Sequence, residues 1–144
     1  MSKQYWLFGA KLTVLADASQ TESNFDLVEG NFPPGSHTPM HVHTLYSETF
    51  YVLDGEALII ANGVEHILKA GDCLFVPKNV EHALTNTSDT SVLKTLVVAS
   101  TSGFAKLITT VGIEVAEGES FPSREHDMAL VGRVLEEIGD RMIM

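Results

Sequence analysis

Residues 11–16 alternate as K-L-T-V-L-A, polar and apolar by turns, which is the period of a strand exposed on one face. A second strand is predicted over 24–32, ending at Pro33-Pro34-Gly35. Asp54-Gly55 separates 49–53 from 56–61, and Asn62-Gly63 separates 56–61 from 64–68. Both dipeptides favour the positive φ of tight hairpin turns. Further strands are predicted over 73–76, 80–86 and 91–99. Short strands joined by closely spaced turns mark an all-β sandwich or barrel. No internal repeat or low-complexity tract interrupts the series.

The period changes after residue 100. Phe104, Leu107, Ile108 and Val111 recur at helical spacing, with Thr101 or Ser102 placed to cap the start and Gly112 to end it. Met128, Val131, Leu135 and Ile138 form a second stripe, with Asp127 as N-cap and Gly139 as stop. Residues 118–124 between them read as loop. The expected organisation is a β-domain over 1–100 with a helical tail over 101–144 packed on it.

Composition narrows the function classes. The 144 residues, 44% of them apolar, are enough for one core. No apolar run reaches the length of a membrane span, and the first residues lack the apolar stretch of a signal peptide. A cytoplasmic location is therefore expected. Net charge is −10, and the nine Lys and Arg are scattered, which argues against nucleic acid as a partner. Cys73 is alone, so an internal disulfide is excluded, and a small buried apolar role is expected for it.

Candidate chemistry is concentrated in two segments. His41 and His43, two apart on a strand, point to the same face. Glu48 lies at odd spacing from them, so a break within 44–47 is needed to return it to that face. His82 follows in the second segment. An isolated His-x-His is ordinarily a pair of surface histidines, but the added glutamate and third histidine make chance a poor account. Three imidazoles and a carboxylate suit a divalent transition metal (Fe, Mn, Ni, Co, Zn or Cu), whose identity the ligands do not determine. Four protein ligands on an octahedral ion leave open positions for substrate or oxygen. His37 either reaches the pocket rim or is solvated, and His66 and His126 read as surface residues.

The two segments resemble the cupin motifs. The first matches G-x5-H-x-H-x4-E-x6-G at Gly35, His41, His43, Glu48 and Gly55. The second matches G-x5-P-x-G-x2-H-x3-N at Gly71, Pro77, His82 and Asn86, with Asn79 in place of the second glycine. Asparagine tolerates the left-handed backbone better than other side chains, so the turn is expected to persist. The motifs span about a quarter of the chain. The resemblance implies an antiparallel cupin β-barrel, or jelly roll, around a metal held by His41, His43, Glu48 and His82. The tail is similar to that of the quercetinase-like group of small cupins.

That likeness implies a dioxygenase acting on a flavonol-like or other enolic aromatic molecule, with Glu48 as both ligand and catalytic base. Phe50 and Val52 share the side of Glu48 and are expected to line an apolar substrate pocket. The alternative is a cupin isomerase, lyase or decarboxylase, or a cupin that binds a small molecule without catalysis. Tyr51 and Leu53 lie on the opposite face and need a cover, either a second sheet or a partner subunit. A homodimer is expected, as in many cupins of this size. Tyr5, Trp6 and Phe8 either join that packing or close one end of the barrel.

Overall fold

The computed structural model describes residues 3–119, 122 and 124–143. In chain order the strands are β1 (Gln4–Leu7), β2 (Ala10–Ala16), β3 (Asp26–Phe32), β4 (His41–His43), β5 (Ser47–Asp54) and β6 (Glu56–Ala61). They continue with β7 (Val64–Lys69), β8 (Cys73–Val76), β9 (His82–Asn86), β10 (Leu93–Ser100), β11 (Ile113–Glu114) and β12 (Asp140–Met142). One turn of helix, α1 (Ala18–Thr21), follows β2, and α2 (Phe104–Val111) and α3 (Met128–Ile138) lie in the tail. Two sheets form, in the orders β11-β1-β2-β3-β10-β5-β8 and β12-β4-β9-β6-β7. Every pairing between strands is antiparallel. The result is a jelly-roll sandwich, as the turn spacing predicts.

Burial alternates along the strands, and that alternation builds the core. β3 turns Asp26, Val28, Gly30 and Phe32 inward, and β10 turns Leu93, Thr95, Val97 and Ala99 inward. β6 contributes Ala57, Ile59 and Ala61 from the other sheet. Gly55, between β5 and β6, has φ +100°, and a Cβ there would stand 3.3 Å from the Leu93 Cα, so the hairpin needs glycine on two grounds. Asn79 takes φ 66°, the left-handed turn expected of it. Asn86 is buried and donates its amide to the carbonyls of Phe32, Pro33 and Ser91 while accepting from the Ser88 N–H. That motif position therefore ties two loops together and does not touch the site.

The tail contributes more than helices, because β11 pairs with β1 and β12 pairs with β4. Both helices have the predicted extents, and Gly139 ends α3 with φ 79°. Asp127 caps α3 through the Leu130 N–H, as expected. The cap of α2 differs. Neither Thr101 nor Ser102 provides it, and buried Asp26 instead accepts from the N–H groups of Gly103 and Ala105. A long-range carboxylate thus does what a local hydroxyl ordinarily does. Of the loop expected over 118–124, residues 120, 121 and 123 lie outside the described residues.

Two further expectations change, those for Cys73 and His126, and Trp6 is decided between its alternatives. Cys73 is exposed, because β8 is an edge strand that sets Cys73 beside Tyr51 on the outer face. Trp6 is buried in the chain's own sheet, and its indole N–H donates to Glu119. His126 is half-buried, with Nδ1 donating to the Val111 carbonyl and Nε2 accepting from the Phe8 N–H, so it joins the tail to the β1–β2 turn. Tyr51, Leu53 and Phe75 stay exposed on the outer face of the larger sheet. Among the described residues no helix is long and apolar enough to cross a membrane.

Candidate metal centre

Sheet register assembles most of the site. β4 pairs with β9 so that His41 stands opposite His82, and with β12 so that His43 stands opposite Asp140. Directly opposed residues project to the same face, which puts all four on the inner side of the smaller sheet. Glu48 comes from the larger sheet. After His43 the chain leaves β4, and residues 44–46 carry it across to β5, where Glu48, Phe50 and Val52 all turn inward. The break needed by the odd spacing is therefore a change of sheet, not a bulge within one strand.

The candidate metal-binding atoms of His41, His43, Glu48 and His82 all lie within 4.8 Å of one another. His43, Glu48 and His82 are buried, and His41 is partly open to the cavity. Each imidazole is oriented from behind. His41 Nδ1 donates to the Pro39 carbonyl at 2.7 Å and His82 Nδ1 to the Val80 carbonyl at 2.9 Å. His43 Nδ1 donates to Asp140 Oδ1 at 2.7 Å. With Nδ1 carrying the proton, each Nε2 presents a lone pair to the centre.

This arrangement passes a chemical test for a cation. Nε2 of His43 is buried without a hydrogen-bond partner, yet it rests against Glu48 Oε1. Nε2 of His82 lies 3.0 Å from the same oxygen. Two lone pairs aimed at one carboxylate oxygen repel, unless protons or a metal ion stand between them. The titration behaviour expresses the same crowding. Burial would lower His43, but the Glu48 charge and the Asp140 and Glu48 bonds outweigh it and raise it to about 9. For His41, burial and the His82 charge prevail over Glu48 and lower it to about 4. Burial pushes the Glu48 carboxyl up, but His43 and His82 hold it well below the usual carboxylate range.

Two residues that the sequence reading passed over belong to the site. Asp140 takes the His43 Nδ1–H on one oxygen and the Tyr46 hydroxyl, at 2.8 Å, on the other. Tyr46 is fully buried and stacks on the His43 ring at 4.3 Å between centroids. Burial and the carboxylates of Glu48 and Asp140 push its phenol well above the ordinary value, so it remains a donor. No periodic signal marks this strand, because Asp140-Arg141-Met142 is too short and follows directly on a helix.

A cavity of about 100 Å³ opens beside the four residues. Its wall is mostly apolar, with Leu12, Phe50, Leu84, Phe104 and Leu135 among the lining residues, and among those residues there is no Lys or Arg. Phe50 lines it, its ring edge-on to His82 at 6.1 Å between centroids. Val52 does not line it. Inward-facing but one step further along β5, it is fully buried in the hydrophobic core. His37 is exposed and does reach the lining.

Known proteins share this architecture. A family model described as Cupin domain matches residues 28–99, half of the chain. The quercetin 2,3-dioxygenase of Bacillus subtilis (strain 168) is 30% identical over 125 residues, which are 87% of this chain and 36% of that protein. An oxalate-binding protein of Thermotoga maritima is 37% identical over 60 residues, 42% of this chain and 50% of that one. The crystal structure of a predicted oxalate decarboxylase, also from Thermotoga maritima, aligns with a TM-score of 0.61 at 27% identity. That alignment covers 64% of this chain and 80% of the other. The chain thus spans between about a third and a half of the length of these two curated relatives.

Proposed function

The chain belongs to the cupin family, and on that premise we propose that it is a metal-dependent dioxygenase of enolic aromatic small molecules. The observation that carries this reading is the placement of three convergent Nε2 atoms and one carboxylate beside an apolar cavity without cationic side chains. His41, His43, Glu48 and His82 would hold a divalent transition ion. Such an ion supplies Lewis acidity and open positions for a substrate oxygen and O2.

The protein's own groups do the rest. Phe50 and Leu84 provide flat and branched apolar surface against which an aromatic ring can lie. Glu48 stands at the cavity wall and would take the proton of an enolic hydroxyl. The apolar wall keeps water from the reacting atoms. A cavity of about 100 Å³ is on the scale of one ring, since dry protein cavities of about 150 Å³ accept benzene. Sites for drug-sized ligands run to roughly 300–1,000 Å³. The cavity is therefore scaled to a single ring at most, and a three-ring flavonol would need lining residues such as Phe104 and Leu135 to move aside.

The small volume also favours a second reading, a cupin that binds a compact ligand without turning it over. The test is oxygen uptake by metal-loaded protein with single-ring enolic aromatics, with a flavonol, and with oxalate as the non-aromatic control. Uptake with an aromatic, and both atoms of ¹⁸O2 in the product, supports the dioxygenase. Saturable binding of any of the three without uptake replaces it with the binding reading. The exposed Tyr51, Leu53 and Phe75 support a homodimer through the outer face, to be checked by sedimentation of the parent and of Phe75→Glu.

A further inference from the structure

His41 and His82 are oriented by carbonyls two residues away in the chain, so any fold that makes β4 and β9 also orients them. His43 is different. Its Nδ1 partner is 97 residues distant, on the last strand of the chain. Several contacts bring Asp140 to that position. Gly139 turns the chain out of α3 at φ 79°, where a Cβ would meet Leu45 Cγ at 2.5 Å, so only glycine fits. The Gly139 carbonyl accepts from both the N–H and the hydroxyl of Thr44, and the Ile143 N–H donates to the Met40 carbonyl. Register then leaves Asp140 opposite His43.

We propose that Asp140, braced by Tyr46, is a positioning residue that makes the C-terminal strand part of the metal centre. This inference rests on the metal reading above. One carboxylate oxygen sets the His43 tautomer, and the stacked Tyr46 ring sets its plane. Tyr46 uses its hydroxyl to hold the second oxygen, so the carboxylate cannot rotate away. An anionic partner behind an imidazole also makes its Nε2 a stronger donor than a backbone carbonyl does. The three ligands are therefore unequal, and of the three only His43 takes its orienting hydrogen bond from the tail.

The experiment uses the full chain and Co(II) alone as probe, with Asp140→Asn, Asp140→Ala and Tyr46→Phe. Affinity is measured by competition with a chelator. The exchangeable imidazole N–H signals of the Co(II) protein, shifted by the paramagnetic ion, report each ligand's tautomer. Asp140→Ala is expected to weaken Co(II) binding about 10–100-fold, the range found for such outer partners. Asp140→Asn, which keeps the shape and loses the charge, should weaken it less and move one of the three N–H signals while leaving two in place. If Asp140→Ala does not fold, Asp140→Asn and Tyr46→Phe carry the test. Binding within about threefold of the parent with unmoved N–H signals overturns the proposal while leaving the metal site intact. So does a common shift of all three signals, which would mean general loosening. A parent that takes up no Co(II) overturns the metal reading and this inference with it.

Discussion

Metal loading should expel a proton at a pH where an ordinary histidine site has almost none to give. In the metal-free chain, burial works to lower His43, but the Glu48 and Asp140 carboxylates raise it to about 9. His41 is lowered to about 4 and is neutral throughout the working range. At pH 8 His43 is thus about 90% protonated, and an ion taking its Nε2 releases about 0.9 proton. Three histidines near the ordinary value of about 6.5 would together release only ~0.1 at that pH. Apparent affinity should climb about tenfold per pH unit up to about 9 and then level off. Between pH 7 and pH 9, where half of His43 is still protonated, that is about fiftyfold, or ~2.3 kcal/mol. The folded value lies above the unfolded one, so His43 stabilises the metal-free fold below about 6.5, and that contribution is lost as pH rises through about 9. The assay is calorimetric titration with Mn(II), whose bound water keeps its proton at this pH, in two buffers of different ionisation enthalpy. Full binding with fewer than about 0.3 protons released at pH 8 would refute the reasoning.

Other outcomes follow from single positions. Glu48→Gln should keep most of the metal while oxygen uptake falls about a hundredfold or more, and equal loss of both would remove the case for a base. Ile59 is fully buried, facing the core and not the cavity, so Ile59→Ala should cost about 2–5 kcal/mol in urea unfolding with Co(II) affinity unchanged. Asn79→Ala should destabilise by about 1–2 kcal/mol because of its positive φ, whereas Asn79→Gly should stay within about 0.5, both read by thermal melting. Asp26→Ala removes the acceptor for two N–H groups at the start of α2 and should cost about 1–3 kcal/mol in the same measurement.

The sequence alone determined the strand series, because side-chain alternation and the turns at Asp54-Gly55 and Asn62-Gly63 are local properties. It also determined both long helices, and the motif spacing marked His41, His43, Glu48 and His82 as one set, which strand register and the crossing at 44–46 then bring together. What lay beyond it was long-range register. β12 has only three residues, too short to carry a period, and its place beside β4 depends on Gly139 and Thr44 meeting across the fold. That pairing alone brings Asp140 to His43. Asp26 likewise reaches α2 only because β3 lies near the helix start. Cys73 and Val52 show the same limit from the other side. Parity assigns a strand residue to a face, but which face is covered, and how far along it the cavity extends, depends on the elements packed against it.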